Sequence, residues 1–156
     1  MTVLVRLYRP ADAEAFRDLN LAWIEAHFTV EPEDRAQLEN PEGSFLAKGG
    51  RILIADMEGA AVGTVALVPG HGENTVELIK MSARGDLRGK GIGRALMDAA
   101  LAAARDMGAA RVWLETNSVL DAALALYRKA GFKQLPATEC AATPYARCNC
   151  QMVLEL

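Results

Sequence analysis

The chain has 156 residues, 51% of them hydrophobic, and 17 Lys and Arg against 20 Asp and Glu give a formal net charge of −3 at pH 7. A domain of this size buries roughly 70% of its extended-chain surface, so one domain spanning residues 1–156 around one core is expected. The slight negative charge excludes a general attraction to nucleic acid or anionic membrane, and no apolar run approaches the roughly 18 residues of a membrane span.

In chain order, TVLVRLY reads as a first strand, and Pro10 opens a helix in which Phe16, Leu19, Trp23 and Ala26 recur at helical spacing. Residues 28–44 are acidic and broken by Pro32 and Pro41, which predicts a loop around one short helix near 33–39. RILIAD, AAVGTVALV and TVELIKMSA, separated by the turns MEG and PGHGEN, predict three antiparallel strands. The period then changes: Ile92, Leu96, Ala99, Ala103 and Met107 share a helical face up to Gly108. ARVWLET follows as a strand, and a helix crossing between two such strands predicts parallel pairing there. Ser118 and Asp121 have capping-box spacing before a helix with Leu120, Leu124 and Tyr127 on one face, ended by Gly131. FKQL and CNCQMVLEL read as two last strands, and MVLEL offers an edge for a homodimer.

The three cysteines, Cys140, Cys148 and Cys150, are odd in number and crowded near the end, unlike a disulfide framework. They read as packing thiols in a reducing, cytoplasmic setting, consistent with an N-terminus that lacks a signal-peptide layout. With no CxxC and only His27 and His71 elsewhere, no metal site is expected.

The stretch RGKGIG, residues 88–93, stands where a strand hands over to the long helix, and Arg94 adds a third basic residue. Backbone N–H groups at such a helix start suit a phosphate. A P-loop is excluded because Gly93 is followed by Arg94 and Ala95, and a dinucleotide fingerprint because Leu96 stands where its third glycine belongs. What remains is a loop that wraps a pyrophosphate with successive N–H groups, aided by the helix dipole and by Arg88, Lys90 and Arg94.

ELIKMSARGDLRGKGIGRALM resembles the acetyl-CoA motif of the GNAT superfamily of N-acetyltransferases, with Arg88, Gly91 and Gly93 on its core positions. VWLETNSVLDAALALYRKAGF resembles the superfamily's second motif, a strand and a tyrosine-bearing helix closed by GF. Gly85 stands where the superfamily usually has a proline. The resemblance implies an α+β fold with a mixed, mostly antiparallel sheet of six to seven strands. That sheet would be splayed between the fourth and fifth strands and flanked by about four helices. It also implies that acetyl-CoA is the cosubstrate, its pantetheine arm against the backbone of Met81 and Ala83 and its pyrophosphate within Arg88, Gly89, Lys90, Gly91, Ile92, Gly93 and Arg94. Asn117 either reaches the pantetheine amides or turns the chain at its strand end.

Glu77 occupies the position of the general base in histone-modifying members, acting directly or through water, with His71 a weaker candidate. Tyr127 stands where the superfamily keeps the tyrosine that protonates the leaving thiolate. The acceptor is expected to be a small primary amine or an amino-acid-like molecule. It would be drawn by Glu31, Glu33, Asp34, Glu39 and Glu42, or would meet Arg147 through a carboxylate. A protein acetyltransferase and a catalytically silent acetyl-CoA-binding regulator are the alternatives.

Overall fold

The computed structural model describes residues 2–156. Strand β1 (Val3–Leu7) leads through a 3₁₀ turn at Pro10–Asp12 into helix α1 (Ala13–His27), followed by α2 (Pro32–Glu39) and the single turn α3 (Pro41–Ser44). The meander consists of β2 (Arg51–Met57), β3 (Ala60–Pro69) and β4 (Thr75–Ala83). After it come α4 (Ile92–Asp106), β5 (Arg111–Thr116), α5 (Asp121–Ala130), the two-residue β6 (Lys133–Gln134) and β7 (Cys150–Glu155). The seven strands form one sheet in the order β1-β2-β3-β4-β5-β7-β6. Only β4 and β5 are parallel, and α4 is the crossover that such a pair requires. This is the expected α+β architecture, with five α-helices rather than four because Pro41 starts an extra turn, capped by the Asn40 side chain.

Two apolar clusters occupy opposite faces of the sheet. One packs Ile92, Leu96, Met97, Ala100 and Ala104 of α4, with Leu124 of α5, against Leu53, Val65, Leu78 and Val112. The other packs Phe16 and Ile24 of α1 and Leu38 of α2 against Ile52, Ile54 and Ala66. In α1 the buried line is Phe16, Asn20 and Ile24, not the stripe through Leu19, Trp23 and Ala26. A buried asparagine breaks the apolar count yet fits, because its amide donates to the Phe16 carbonyl at 2.9 Å and to the Thr64 hydroxyl at 3.2 Å. Trp23 is thereby left partly exposed beside the sheet.

Two further expectations are corrected at the C-terminal end. No Ser118 capping box forms: Leu120 is the cap residue of α5, and the Ser118 N–H donates to Asn149 instead. MVLEL is a free edge only in part: β7 pairs with β5 along its length, and on the other side Lys133 and Gln134 cover Val153 and Met152, while Leu154 and Glu155 have no strand partner there among the described residues.

α4 approaches β3 closely at Gly63, where an added Cβ would lie 2.9 Å from side-chain atoms of both Ile92 and Leu96. Gly63→Ala should therefore destabilise by about 1–3 kcal/mol through overpacking. A thermal melt should show Tm lowered by roughly 3–10 °C.

Candidate active site

The loop before α4 turns through two left-handed residues, Gly89 at φ +82° and Gly91 at φ +81°, and a Cβ at either would have no atom within 4 Å. The left-handed geometry turns the chain so that it arrives at the helix start, and the open side leaves room for a ligand. The first intrahelical donor is Ala95, whose N–H reaches the Gly91 carbonyl, so the N–H groups of Ile92, Gly93 and Arg94 lack intrahelical partners. Arg88, Lys90 and Arg94 are exposed, and none is ion-paired among the described residues. This donor set, with three cations and no carboxylate partner, fits a phosphate-bearing ligand such as the pyrophosphate of CoA.

A cleft lies between β4 and β5, lined by residues 77–81 of β4 and 114–116 of β5. The two strands pair only at Thr75–Arg111, Val76–Val112 and Glu77–Trp113, although β4 continues to Ala83. Beyond Glu77 the β5-facing edge of β4 has no strand partner. A bulge adds to the divergence: Ile79 opposes Ala66 and Ser82 opposes Thr64, so Lys80 and Met81 face the single residue Val65. Lys80 takes the left-handed conformation, φ +56°, and its carbonyl accepts a hydrogen bond from Thr64 Oγ1 at 3.2 Å. Met81 lines the cleft, while Ala83 and Arg88 border an adjoining depression beside α1.

Glu77 sits where the strands separate. Its Oε1 lies 2.8 Å from His71 Nε2, and the imidazole stacks on Trp113 with centroids 3.5 Å apart and planes 14° apart. His71 itself is left-handed, φ +68°, a conformation that the stacking and the carboxylate contact help to hold. Burial raises the Glu77 pKa, and His71 opposes the shift.

Tyr127 enters the same cleft from α5; its hydroxyl has no hydrogen-bond partner among the described residues, and burial raises its pKa to about 12. Asn117 lies at the cleft wall, but its amide donates to the Arg147 carbonyl at 2.7 Å and its oxygen accepts from the Val119 N–H at 2.9 Å. Those bonds suit a residue that turns the chain at the strand end.

Glu115 is a residue that the sequence reading passed over. It is two positions from Trp113 on β5 and so shares a face with it, toward Glu77. Its Oε1 is buried with no hydrogen-bond partner, and burial raises its pKa despite nearby Thr143 and Cys148. Strand alternation in RVWLET, with Val112 and Leu114 on the core face, carried the signal for it. Cys148 lies outside β7, at the cleft wall beside Glu115, while Cys150 packs in the core and Cys140 is exposed.

The model of the acetyltransferase (GNAT) family matches residues 13–132. The chain belongs to this family. It is 36% identical over 106 residues to the uncharacterised N-acetyltransferase YjgM of Escherichia coli, covering 66% of this chain and 62% of that one. It is 31% identical over 116 residues to N-acetyltransferase family 8 member 2 of Rattus norvegicus, covering 72% and 51%. The chain thus spans between about half and three fifths of the length of these relatives. Among solved structures, a GNAT acetyltransferase of Staphylococcus aureus superposes with a TM-score of 0.88 at 20% identity, covering 99% of both chains. YncA of Salmonella typhimurium, solved with acetyl-CoA, gives 0.74 at 21%, covering 99% of this chain and 94% of that one. At such identities the likeness is one of fold.

This GNAT domain anchors Lys80 and Arg147, which line the cleft, by an ion cluster that joins residues far apart in sequence. Asp34 of α2 is fully buried and accepts from Lys80 Nζ at 2.6 Å and from both terminal nitrogens of Arg147 at 2.6 and 2.7 Å. Arg147 also meets Glu31 at 3.2 Å and lies over the Tyr145 ring, 4.6 Å from its centroid. Both terminal nitrogens of Arg147 are thus held by carboxylates of its own chain. Asp34 in turn serves the fold and is not exposed to an incoming amine. Burial works to raise the Asp34 pKa, but the hydrogen bonds from Arg147 and Lys80 outweigh it and bring the pKa down to about 2.

A carboxylate whose pKa is lowered on folding stabilises above its unfolded pKa. From an ordinary aspartate value of 3.8, this contribution should disappear as pH falls toward about 2. Asp34→Asn should cost about 3–5 kcal/mol by stranding buried cations, and Lys80→Met in that background should restore part of the loss. Urea denaturation of the single and double variants at neutral pH measures both effects.

Proposed function

We propose that the protein is an acetyl-CoA-dependent N-acetyltransferase that transfers acetyl directly to a primary amine of a small molecule. The observation that carries this reading is the convergence, in one cleft, of the unpaired β4 edge, Glu77 and Tyr127, with the anion-suited loop between β4 and α4 following in the chain. When bound, acetyl-CoA supplies an acetyl group activated as a thioester. The N–H groups of Ile92–Arg94 and the three basic side chains would hold its diphosphate, and the free backbone of Met81 and Ala83 would align its amide-bearing arm.

The protein's own task is then proton handling. An alkylamine of pKa near 10.4 must lose a proton, at a cost on the order of 4–5 kcal/mol at pH 7. Glu77, with its pKa raised by burial, is suited to accept that proton directly or through water and to pass it to the partly exposed His71 at 2.8 Å. Tyr127 keeps its proton at neutral pH and can offer it as a hydrogen bond to the departing sulfur, while burial, which raises its pKa to about 12, works against complete transfer.

Steady-state thiol release with a primary-amine panel tests these roles. Tyr127→Phe and Glu77→Gln should each lower kcat by on the order of 100-fold, and calorimetry should show acetyl-CoA affinity nearly unchanged. Because burial raises the Glu77 pKa and the base acts ionised, kcat should fall on acidification through an apparent pKa above the ordinary glutamate range. Acetyl-CoA binding without thiol release for any amine would instead identify a silent acetyl-CoA-binding domain. Displacement of CoA by ATP or NAD would identify a nucleotide site.

A further inference from the structure

We propose that the acceptor is an arylalkylamine, a primary amine on a flat apolar body with no carboxylate beside the nitrogen, rather than an α-amino acid. This rests on the transferase reading above and narrows its substrate class.

Charge in the cleft is one-sided where an acceptor would sit. Its two cationic side chains, Lys80 and Arg147, are both committed: Lys80 Nζ, on a side chain 4% exposed, is bound to Asp34, and Arg147 is held by Asp34 and Glu31. The two carboxylates that line the same cleft, Glu77 and Glu115, make no ion pair with a lysine or arginine among the described residues. Glu77 meets only the imidazole of His71, and Oε1 of Glu115 is buried with no partner at all. An orphaned carboxylate oxygen is an acceptor waiting for a donor, and an ammonium or amine supplies one. The carboxylate of an α-amino acid, one carbon from that nitrogen, would be brought close to Glu77 and Glu115 with no free cation to receive it.

The shape of the remaining wall supplies the rest of the specificity. Trp23 and Phe28, at the end of α1, line the cleft with Ile24 and Leu120. Trp23 stands 4.9 Å from His27 and 6.4 Å from Phe28 between ring centroids, so the ring cluster is held in place. A planar acceptor body gains contact there with rings that are only partly covered by the protein itself. The carboxylate pair and the aromatic wall together match a positively charged nitrogen joined to a ring.

The test compares phenethylamine with phenylalanine, tyramine with tyrosine, and tryptamine with tryptophan, using the full chain and saturating acetyl-CoA. Phenylalaninamide is included to separate charge from size. Each amine should exceed its amino acid in kcat/KM by on the order of 100-fold, with phenylalaninamide close to phenethylamine. Glu115→Gln should narrow the amine-to-amino-acid ratio by about tenfold whatever it does to the absolute rate, a change that a purely structural role would not produce. Trp23→Ala should raise KM for the arylalkylamines more than it lowers kcat. Amino acids acetylated as well as the amines, a ratio unmoved by Glu115→Gln, or transfer confined to peptide N-termini would overturn the inference alone. Absence of thiol release with every amine, peptide N-termini included, while acetyl-CoA still binds would overturn the transferase reading and the inference with it.

Discussion

Parallel pairing between β4 and β5 ends at Glu77 and Trp113, and the backbone groups beyond that point must find partners elsewhere. An open sheet edge inside a domain is costly unless water or a ligand completes it. Here the opening is built in from both ends. The bulge at Lys80 and Met81 bends β4, and β5 is drawn aside by its full-length pairing with β7. The cleft therefore contains unpaired main chain of the kind that a ligand carrying amide groups can satisfy.

The bulge carries a second consequence. Placing a lysine in the left-handed region costs on the order of 1–3 kcal/mol unless neighbours hold it there. Lys80 is held at both ends: its carbonyl by Thr64, within a buried polar group that includes Asn20 and Ser82, and its ammonium by Asp34. Asp34 then binds Arg147, so strand β4, helix α2 and the segment before β7 share one buried carboxylate. Replacing such a cluster by apolar residues is often neutral for stability, but losing one member is not. Its presence links the shape of β4 along the cleft to helix α2 and to the segment before β7, which lines the cleft through Tyr145, Arg147 and Cys148.

Much of this was legible in the sequence because it depends on local chemistry. Alternation exposed β2 to β5, the 3.6-residue period exposed α4, and Gly89 and Gly91 marked the turn that delivers the chain to the start of α4. Glu77 and Tyr127 could be named through the two GNAT motifs, and both line the same cleft. The features that were missed depend on long-range pairing. Asp34 reads as one of five acids that would draw an amine, because its partners lie 46 and 113 residues away. Asn20 has no place in an apolar stripe read from spacing, and its burial depends on Thr64, 44 residues away. Ser118 has the spacing of a cap, but tertiary contact with Asn149 takes its N–H. Nothing in a lysine side chain announces a positive φ.

The central claim is that the parted strands and the loop before α4 form one binding surface for acetyl-CoA. A ¹⁵N-resolved NMR titration of the whole chain with acetyl-CoA tests it directly. Amides of Leu78–Ala83 and of Gly89–Arg94 should shift together along one saturation curve, with little change in β1 and β2. Saturable binding that leaves both segments unmoved, or moves the loop without the strand, would contradict the account.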